Sequence, residues 1–264
     1  MLAAFFALQY LLAPVLFTWG TVPAGAAGHG WLQEAADRLA GASGVGRVRV
    51  YIAPSSVPNA YAISSPLRRA VVINRGLLGL LSRREVEAVL GHELGHIKHR
   101  DNAYLLGVSF APTLLHWLGL ALLVFGVGMV YAAAATVPRS RDEEDVSIAM
   151  GLLGLGIAAI GALVVLGMIL VYIPIRAFTR LREHLADVHS ASLTRDESLI
   201  SALRKIEEAI SQLRAGQSGP AAPSLRNMLY IAPALAETLF STHPSLEQRA
   251  LIVRAHLRDL GLLS

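Results

Sequence analysis

The sequence predicts an α+β fold that is mainly α, in which integral-membrane helices accompany a small β-sheet and the helix that follows it. Three observations favour this class. The 264 residues are 54% hydrophobic and only 16% charged, with a mean hydropathy of +0.51, which is too apolar for an ordinary soluble protein. Residues 104–135 and 146–175 contain no Asp, Glu, Lys or Arg. Residues 47–53 (RVRVYIA) show the alternation of a half-buried strand.

The two uncharged stretches have the length of membrane spans. A helix needs about 20 apolar residues to cross the hydrocarbon core, and each stretch exceeds that length. They predict a transmembrane hairpin closed by the loop 136–145. Residues 2–19 are also uncharged. A signal peptide cleaved near residues 24–26 would normally start with basic residues, and the first one here is Arg38, so we favour a retained anchor.

The distribution of charge predicts an orientation. The hairpin loop carries a net charge of −2, whereas the remaining 21 basic and 15 acidic residues give the rest of the chain +6. The positive-inside rule then places the hairpin loop and the N-terminus outside, and the segment 83–99 in the cytoplasm. We therefore expect a multi-pass protein of the cell (inner or plasma) membrane.

The basic character indicates contact with lipid rather than with nucleic acid. The sequence pI is about 9.7, and basic residues beside membrane spans are attracted to anionic headgroups. These residues are spread along the chain without a recognition motif, so we expect no nucleic-acid partner. The chain has no cysteine, which excludes disulfides and cysteine ligation of zinc.

Periodicity and turn residues predict the elements around the spans. Before the hairpin we expect an amphipathic helix at 30–39, strands at 47–53, 59–63 and 69–73, and a short helix at 76–81. Ser82 is the predicted N-cap of a helix at 83–99, because Glu85 three residues later completes a capping box. After the hairpin we expect a flexible loop at 216–223 and helices at 176–192, 196–214 and 244–257, the last capped near Ser241 or Thr242.

The predicted helix 83–99 contains the H-E-x-x-H motif His92-Glu93-Leu94-Gly95-His96. Residues four apart share a helix face, so His92 and His96 can present two imidazole nitrogens to one zinc ion. Glu93 lies beside the first of them, where it can act as the general base toward a water on the metal. The motif therefore predicts metal-assisted hydrolysis of a peptide bond.

A catalytic zinc site needs a third protein ligand, and the segment TRLREHLAD at 179–187 offers one. Glu183 and Asp187 lie four apart on one helix face. Glu183 can bind the metal while Asp187 accepts a hydrogen bond from the far nitrogen of a ligand histidine. An exposed ion pair with Arg180 or Arg182 is the alternative for Glu183, and a plain surface carboxylate is the alternative for Asp187.

The hairpin is expected to bring the two parts of this site together. His96 lies eight residues before the start of the first long stretch, and Glu183 lies seven residues after Arg176, the residue that follows the second stretch. At about 1.5 Å per helical residue, each lies at most about 12 Å beyond its span. Because a hairpin returns both ends to one side, we expect the active site close to the cytoplasmic membrane surface.

Four motifs together resemble a known family. HELGHIKHRD, the two-span insertion, TRLREHLAD and STHPSLEQR occur in the order found in HtpX-type membrane zinc metalloproteases, which are relatives of the prenyl-protein CAAX metalloproteases. The resemblance extends from the N-terminal span to Arg249. It implies a zincin-like metalloprotease domain and one Zn²⁺ per chain. It further implies that His92, His96 and Glu183 bind the zinc and that Glu93 is the base.

The resemblance also implies two C-terminal active-site residues. His243 is similar to a catalytic residue that can donate to the developing oxyanion, and a turn hydrogen bond before Pro244 is the alternative. Arg249 is similar to a residue that orients Glu183 or binds a substrate carbonyl, and an interior ion pair is the alternative.

The segment at 59–62 is similar to the sheet edge that pairs with an extended substrate in this family, although a core strand would have the same pattern. Its residues are Asn59, Ala60, Tyr61 and Ala62. The sequence departs from the family at two points. Only one span precedes the catalytic part where bacterial members usually have two. His184 follows the third ligand where the family usually has an aromatic residue, so an adjacent histidine can compete for the metal.

We predict four segments: an N-terminal transmembrane anchor (1–20), a cytoplasmic catalytic part with the sheet and the HELGH helix (21–103), a transmembrane hairpin (104–175) and a second cytoplasmic catalytic part (176–264). The resemblance implies a zinc endopeptidase that cuts misfolded or damaged membrane proteins in quality control and the stress response. Its expected partners are protein substrates and the lipid bilayer. A CAAX-type processing protease of lipidated peptides, a non-catalytic zinc-binding scaffold and a zinc sensor without turnover are the alternatives.

Overall fold

The computed structural model describes residues 2–215 and 244–263, which form two compact units. Unit 1 joins Met1–Tyr104 to Thr179–Ser264, and unit 2 is Leu105–Phe178. Unit 1 thus draws its residues from both flanks of the apolar region. The described helices are α1 (Leu2–Phe17), α2 (Gly30–Ser43), α3 (Arg75–Leu80), α4 (Arg83–Lys98), α5 (Asp101–Ala135), α6 (Arg141–Thr194), α7 (Ser198–Ala215) and α8 (Leu246–Asp259). The described strands are β1 (Val22–Pro23), β2 (Arg49–Ala53), β3 (Ala60–Ser64) and β4 (Arg69–Asn74).

The strands form one mixed sheet in the order β1-β2-β4-β3. The central pair, β2 and β4, is parallel, and both outer strands run antiparallel to their neighbours. β3 is therefore an edge strand whose outer side has no partner strand among the described residues. The mainly helical α+β class is confirmed, and the three predicted strands lie within two residues of their expected bounds. The two-residue strand β1 was not predicted.

The hydrophobic core of unit 1 lies between the sheet and the helices α2 and α4. Residues from these elements are fully buried, including Leu32 of α2, Ile73 of β4 and Leu90 and Leu94 of α4. A second, smaller cluster packs α7 against α8. The HELGH helix is therefore held on one face by the core, which fixes the direction in which its remaining side chains point.

The capping box predicted at Ser82 is present at the start of α4. The Ser82 hydroxyl accepts from the Glu85 backbone N–H at 3.4 Å, and the Glu85 carboxylate accepts from the Ser82 backbone N–H at 2.8 Å. Ser201 and Lys205 of α7 also donate to this carboxylate, at 2.5 and 2.8 Å. Although burial raises the pKa of Glu85, these hydrogen bonds outweigh it and lower the pKa to about 2. One cap thus starts α4 and ties it to α7.

Unit 2 is a pair of long apolar helices. Pro112–Ala135 and Arg141–Met168 are long and apolar enough to cross a membrane, by length and composition alone. The two helices pack backbone to backbone, because a Cβ added at Gly126 would lie 2.4 Å from the Ala158 nitrogen. A Cβ added at Gly161 would lie 2.4 Å from the Leu123 nitrogen. Glycines thus permit the close packing of the two helices.

The first and last helices are compared with their predicted bounds. The last helix begins later than predicted, with Ser245 as its N-cap accepting from the Gln248 backbone N–H at 3.3 Å. The candidate caps Ser241 and Thr242 lie outside the described residues, as does the predicted loop 216–223. At the other end, α1 is 16 residues long, and the ring of Phe17 meets the ring of Tyr61 edge to face at 6.3 Å. Its role as an anchor stays a prediction.

The Glu85 cap yields a stability prediction. Glu85→Ala should lower the free energy of unfolding by about 2 kcal/mol at pH 7, since it removes both the cap of α4 and the hydrogen bonds from Ser201 and Lys205 of α7. Because the folded-state pKa is depressed, this stabilisation is present above pH 4.5 and is lost as the pH falls toward 2. Thermal melts of the detergent-solubilised protein at pH 7 and pH 3 measure the difference.

Glu87→Ala is the matched control, because it removes the same charge from the same helix. Glu87 pairs with Arg38 at 2.8 Å, but the Arg38 side chain is 62% exposed, so the pair contributes little. Equal losses for the two variants at pH 7, or a Glu85→Ala effect that does not shrink at pH 3, would contradict this account.

Candidate metal centre

Helix α4 places two histidines side by side. His92 and His96 are one turn apart, and their Nε2 atoms lie 3.0 Å from each other. The two rings are perpendicular, with centroids 4.6 Å apart. His92 is only 7% exposed, so the pair lies beneath the protein surface. Two unprotonated nitrogens this close repel each other unless a cation or a proton lies between them.

Glu183 of α6 completes a group of three candidate ligands. Its carboxylate oxygens lie 3.7 Å from His92 Nε2 and 3.7 Å from His96 Nε2. All three ligand atoms lie within 4.8 Å of one another. Two ligands about 2 Å from one tetrahedral zinc ion lie about 3.3 Å apart, which falls between the observed 3.0 and 3.7 Å. The spacing therefore fits a metal ion bound by two histidines and one glutamate.

Small residues bring α6 close enough to α4 for this geometry. A Cβ added at Gly95 would lie 2.9 Å from the Ala186 Cα, and one added at Gly91 would lie 3.2 Å from the Ser190 Oγ. Ser190 also donates a buried hydrogen bond to the Ala88 carbonyl at 2.6 Å. The glycine inside the HELGH motif thus has a packing role, which sequence analysis did not predict. It lets the helix that carries Glu183 reach the two histidines.

Asp187 lies behind His92, as the spacing of four from Glu183 suggested. Its Oδ1 is 2.9 Å from His92 Nδ1. Arg249 of α8 donates two hydrogen bonds to the same carboxylate, Nε to Oδ2 at 2.8 Å and Nη2 to Oδ1 at 2.5 Å. Burial raises the pKa of Asp187, but hydrogen bonds from Arg249 and His92 outweigh it and lower the pKa. The charged carboxylate accepts a hydrogen bond from His92 Nδ1–H, so the Nε2 lone pair of His92 faces the site.

Asp101 lies behind His96 in the same way, and sequence analysis did not identify it. Its Oδ2 is 2.5 Å from His96 Nδ1 and 2.7 Å from Nη2 of Arg182. Burial raises the pKa of Asp101, but hydrogen bonds from His96 and Arg182 outweigh it and lower the pKa. Burial likewise lowers the pKa of His96, but the Asp101 hydrogen bond and the charges of Glu183 and Glu93 raise it above its usual value. The surroundings of His96 therefore attract positive charge.

The buried charges around the three candidate ligands do not balance. Four carboxylates and two guanidinium groups are each less than one tenth exposed, namely Glu93, Asp101, Glu183, Asp187, Arg182 and Arg249. With neutral imidazoles these groups have a net charge of −2. Since uncompensated buried charge is costly, a divalent cation at this position would neutralise the cluster. The charge balance and the ligand spacing both fit zinc.

Glu93 occupies a position suited to proton transfer. It follows His92 on α4 and is 8% exposed. Because it is the residue next to the candidate ligand His92 and is buried, it is a candidate for the group that accepts or delivers a proton at this centre.

The remaining predicted site residues fall in different places. His184 is not among the three clustered ligands, and its Nδ1 is buried with no hydrogen-bond partner among the described residues. His243 lies outside the described residues. Arg249 forms a buried ion pair with Asp187, and its Nη2 is 3.9 Å from Glu183. Of the segment 59–62, Asn59 precedes the edge strand β3 and the other three residues begin it, and β3 packs beside α4.

The sequence is similar to known proteases over most of its length. Residues 26–256 match Peptidase family M48. The chain is 34% identical over 210 residues to Protease HtpX homolog 1 of Sulfolobus acidocaldarius, an alignment that covers 78% of this chain and 64% of that protein. It is 33% identical over 249 residues to the Protease HtpX homolog of Aeropyrum pernix, covering 84% and 73% of the two proteins. It is 35% identical over 237 residues to the Moorella thermoacetica homolog, covering 84% and 71%.

The fold is similar to that of Ste24p from S. mikatae. The TM-score is 0.56 at 19% identity, and the similarity covers 94% of this chain but 55% of Ste24p. At this identity the similarity concerns the fold alone. The chain corresponds to about half of Ste24p and to 64–73% of the HtpX homologs described above.

The ligand geometry predicts different roles for two neighbouring residues. Glu183→Gln should weaken zinc binding by more than the roughly 10- to 100-fold that loss of an outer hydrogen-bond partner causes. His184→Ala is the matched control and should bind zinc like the wild type, because His184 lies outside the cluster. Competition with a zinc chelator measures both affinities. Loss of zinc by His184→Ala with normal binding by Glu183→Gln would reverse the assignment.

Proposed function

This chain belongs to peptidase family M48, and from that premise we propose that it is an integral-membrane zinc endopeptidase of HtpX type. One observation carries the proposal: the candidate ligand atoms of His92, His96 and Glu183 lie within 4.8 Å of one another, and Glu93 is next to the first of them. Two histidines and a glutamate form the ligand set of catalytic zinc sites, in which one position stays open for water or substrate.

In the proposed reaction, His92, His96 and Glu183 hold the metal. A bound zinc ion acts as a Lewis acid that polarises the scissile carbonyl and makes water more acidic. Glu93 takes the proton from the attacking water and then delivers it to the leaving amine. The hydrogen bond from His96 Nδ1 to Asp101 leaves Nε2 as the nitrogen that can bind the metal. We propose that His243 donates to the developing oxyanion, as the resemblance implies.

The edge strand β3 is the proposed binding surface for an extended substrate. The Asn74 backbone N–H donates to the Asn59 carbonyl, so with this register the main chain of Tyr61 is directed toward β4. The main-chain groups of Ala60 and Ala62 are then directed to the open side. A substrate strand can pair with these groups while β3 stays in the sheet. Because β3 packs beside α4, the bound peptide would run along the helix that carries the metal ligands.

Misfolded or damaged membrane proteins are the proposed substrates. The two long apolar helices of unit 2 and the charge asymmetry of the sequence support a multi-pass protein of the cell membrane whose catalytic part faces the cytoplasm. The HtpX homologs are named as proteases, and this supports a protein substrate. The sequence resemblance to relatives of the prenyl-protein CAAX metalloproteases keeps a second candidate, the CAAX-type processing of lipidated peptides.

Glu93→Gln tests the proposed mechanism. The variant keeps its zinc ligands but has no carboxylate to move the proton, so cleavage should fall by at least about 100-fold while zinc affinity stays unchanged. Detergent-purified protein is stripped of metal, reloaded with zinc and given an unfolded membrane protein or a prenylated C-terminal peptide. Equal cleavage by wild type and variant would refute the mechanism. Preference for the prenylated peptide would favour the second candidate, and zinc binding without cleavage of either would indicate a sensor or scaffold.

Ala62→Pro tests substrate pairing at the β3 edge. Proline removes the outward N–H but leaves the hydrogen bonds to β4, so the sheet should persist. Loss of at least one main-chain hydrogen bond to substrate should lower kcat/KM about 10-fold, with zinc affinity unchanged. Ala62→Ser is the control, because it keeps the N–H in a small residue. If both variants cleave equally well, the substrate does not pair here.

A further inference from the structure

Asp101 and Arg182 form a buried pair beside one candidate ligand. Asp101 is 3% exposed and Arg182 is 6% exposed. One oxygen of Asp101, Oδ2, contacts both His96 Nδ1 at 2.5 Å and Arg182 Nη2 at 2.7 Å. The guanidinium group of Arg182 also lies over the ring of Tyr104, 5.5 Å from its centroid. Through Asp101, Arg182 is therefore connected to the candidate ligand His96.

The pair mirrors the arrangement behind the other histidine. Asp187 accepts from His92 Nδ1 and is held by Arg249. The helices contribute these groups crosswise. Helix α6 provides Asp187 and Arg182. Asp101 is the first residue of α5, and Arg249 is on α8. Each histidine of the HELGH motif thus has its own carboxylate and guanidinium behind it.

We propose that Asp101 and Arg182 are positioning residues for His96, an inference that rests on the zinc site of the proposed function. Asp101 holds the Nδ1 proton, so that Nε2 presents its lone pair to the metal. Arg182 acts through Asp101, by keeping the buried carboxylate charged and fixing its oxygen beside the ring. The pair also joins the first residue of α5 to α6 next to Glu183, so it sets the distance between two candidate ligands on separate helices.

Removal of either partner should therefore affect the metal site. Without the charge of Asp101, the His96 ring can rotate or adopt the other tautomer. Without Arg182, Asp101 loses the group that orients it. If Arg182 acts only through Asp101, its loss should have little effect once Asp101 is already neutral.

A double-mutant cycle tests the proposal. Asp101→Asn, Arg182→Met and the double variant are made in the full chain carrying Glu93→Gln, so that proteolysis cannot alter the sample. Zinc affinity is measured by chelator competition, and the coordination geometry by the visible absorption of bound Co²⁺. We expect Asp101→Asn to weaken zinc binding about 10- to 100-fold and to change the cobalt spectrum. The double variant should bind zinc about as well as Asp101→Asn alone. Arg182→Lys, which keeps a charge and a donor, should restore most of the affinity lost in Arg182→Met.

Glu197→Gln provides a matched control. Glu197 pairs with Arg254 at 3.0 Å in unit 1, with side chains 34% and 44% exposed, and it should leave zinc affinity unchanged. Wild-type affinity and an unaltered cobalt spectrum in Asp101→Asn would overturn the proposal, and so would additive effects in the double variant. If Asp101→Asn does not fold, wild-type affinity in Arg182→Met overturns it. Because these readouts do not involve cleavage, failure of the protease mechanism and failure of this inference give different results.

Discussion

The close packing of α4 against the final turns of α6 is the constraint on which the candidate site depends. A Cβ at Gly95 would come within 2.9 Å of the Ala186 Cα, so the helices meet without an intervening side chain at this position. Only when the two helices lie this close together can the Glu183 carboxylate of α6 and the two histidines of α4 bind the same metal ion. The core beneath α4 and the capping box at Ser82 hold the other side of this contact. Packing in unit 1 thus determines the ligand spacing.

Charge balance explains why so many ionised groups are buried together. Each aspartate behind a histidine keeps its charge because an arginine and the histidine donate to it. Arg249 Nη2 lies 2.5 Å from Asp187 Oδ1 and 3.9 Å from Glu183 Oε2, so its closer contact is with the aspartate. With neutral imidazoles, the four buried carboxylates and two buried guanidinium groups carry a formal net charge of −2. A divalent cation held by His92, His96 and Glu183 would balance this charge.

Much of this arrangement follows from sequence, because local spacing determines local geometry. The HELGH spacing and the pair Glu183 and Asp187 each depend on one helix face, and the Ser82 cap depends on two residues three apart. Asp101 could not be predicted in this way. It follows the end of α4 and a residue with a left-handed backbone, Arg100 at φ 55°, so its spacing from His96 indicates no shared face. The parallel pairing of β2 with β4 likewise depends on tertiary packing, which strand alternation does not reveal.

The order of the elements has a structural consequence for the site. α4 precedes the apolar hairpin, whereas α6 reaches Glu183 only after the chain has passed through unit 2. Asp101 precedes unit 2 in the sequence and Arg182 follows it. Their ion pair therefore joins the two sequence segments that form unit 1. Neither flank alone contains three candidate ligands or a complete set of the groups that orient them. A functional centre therefore requires both flanks to pack together, and the buried ion pairs stabilise that packing only when every partner is present.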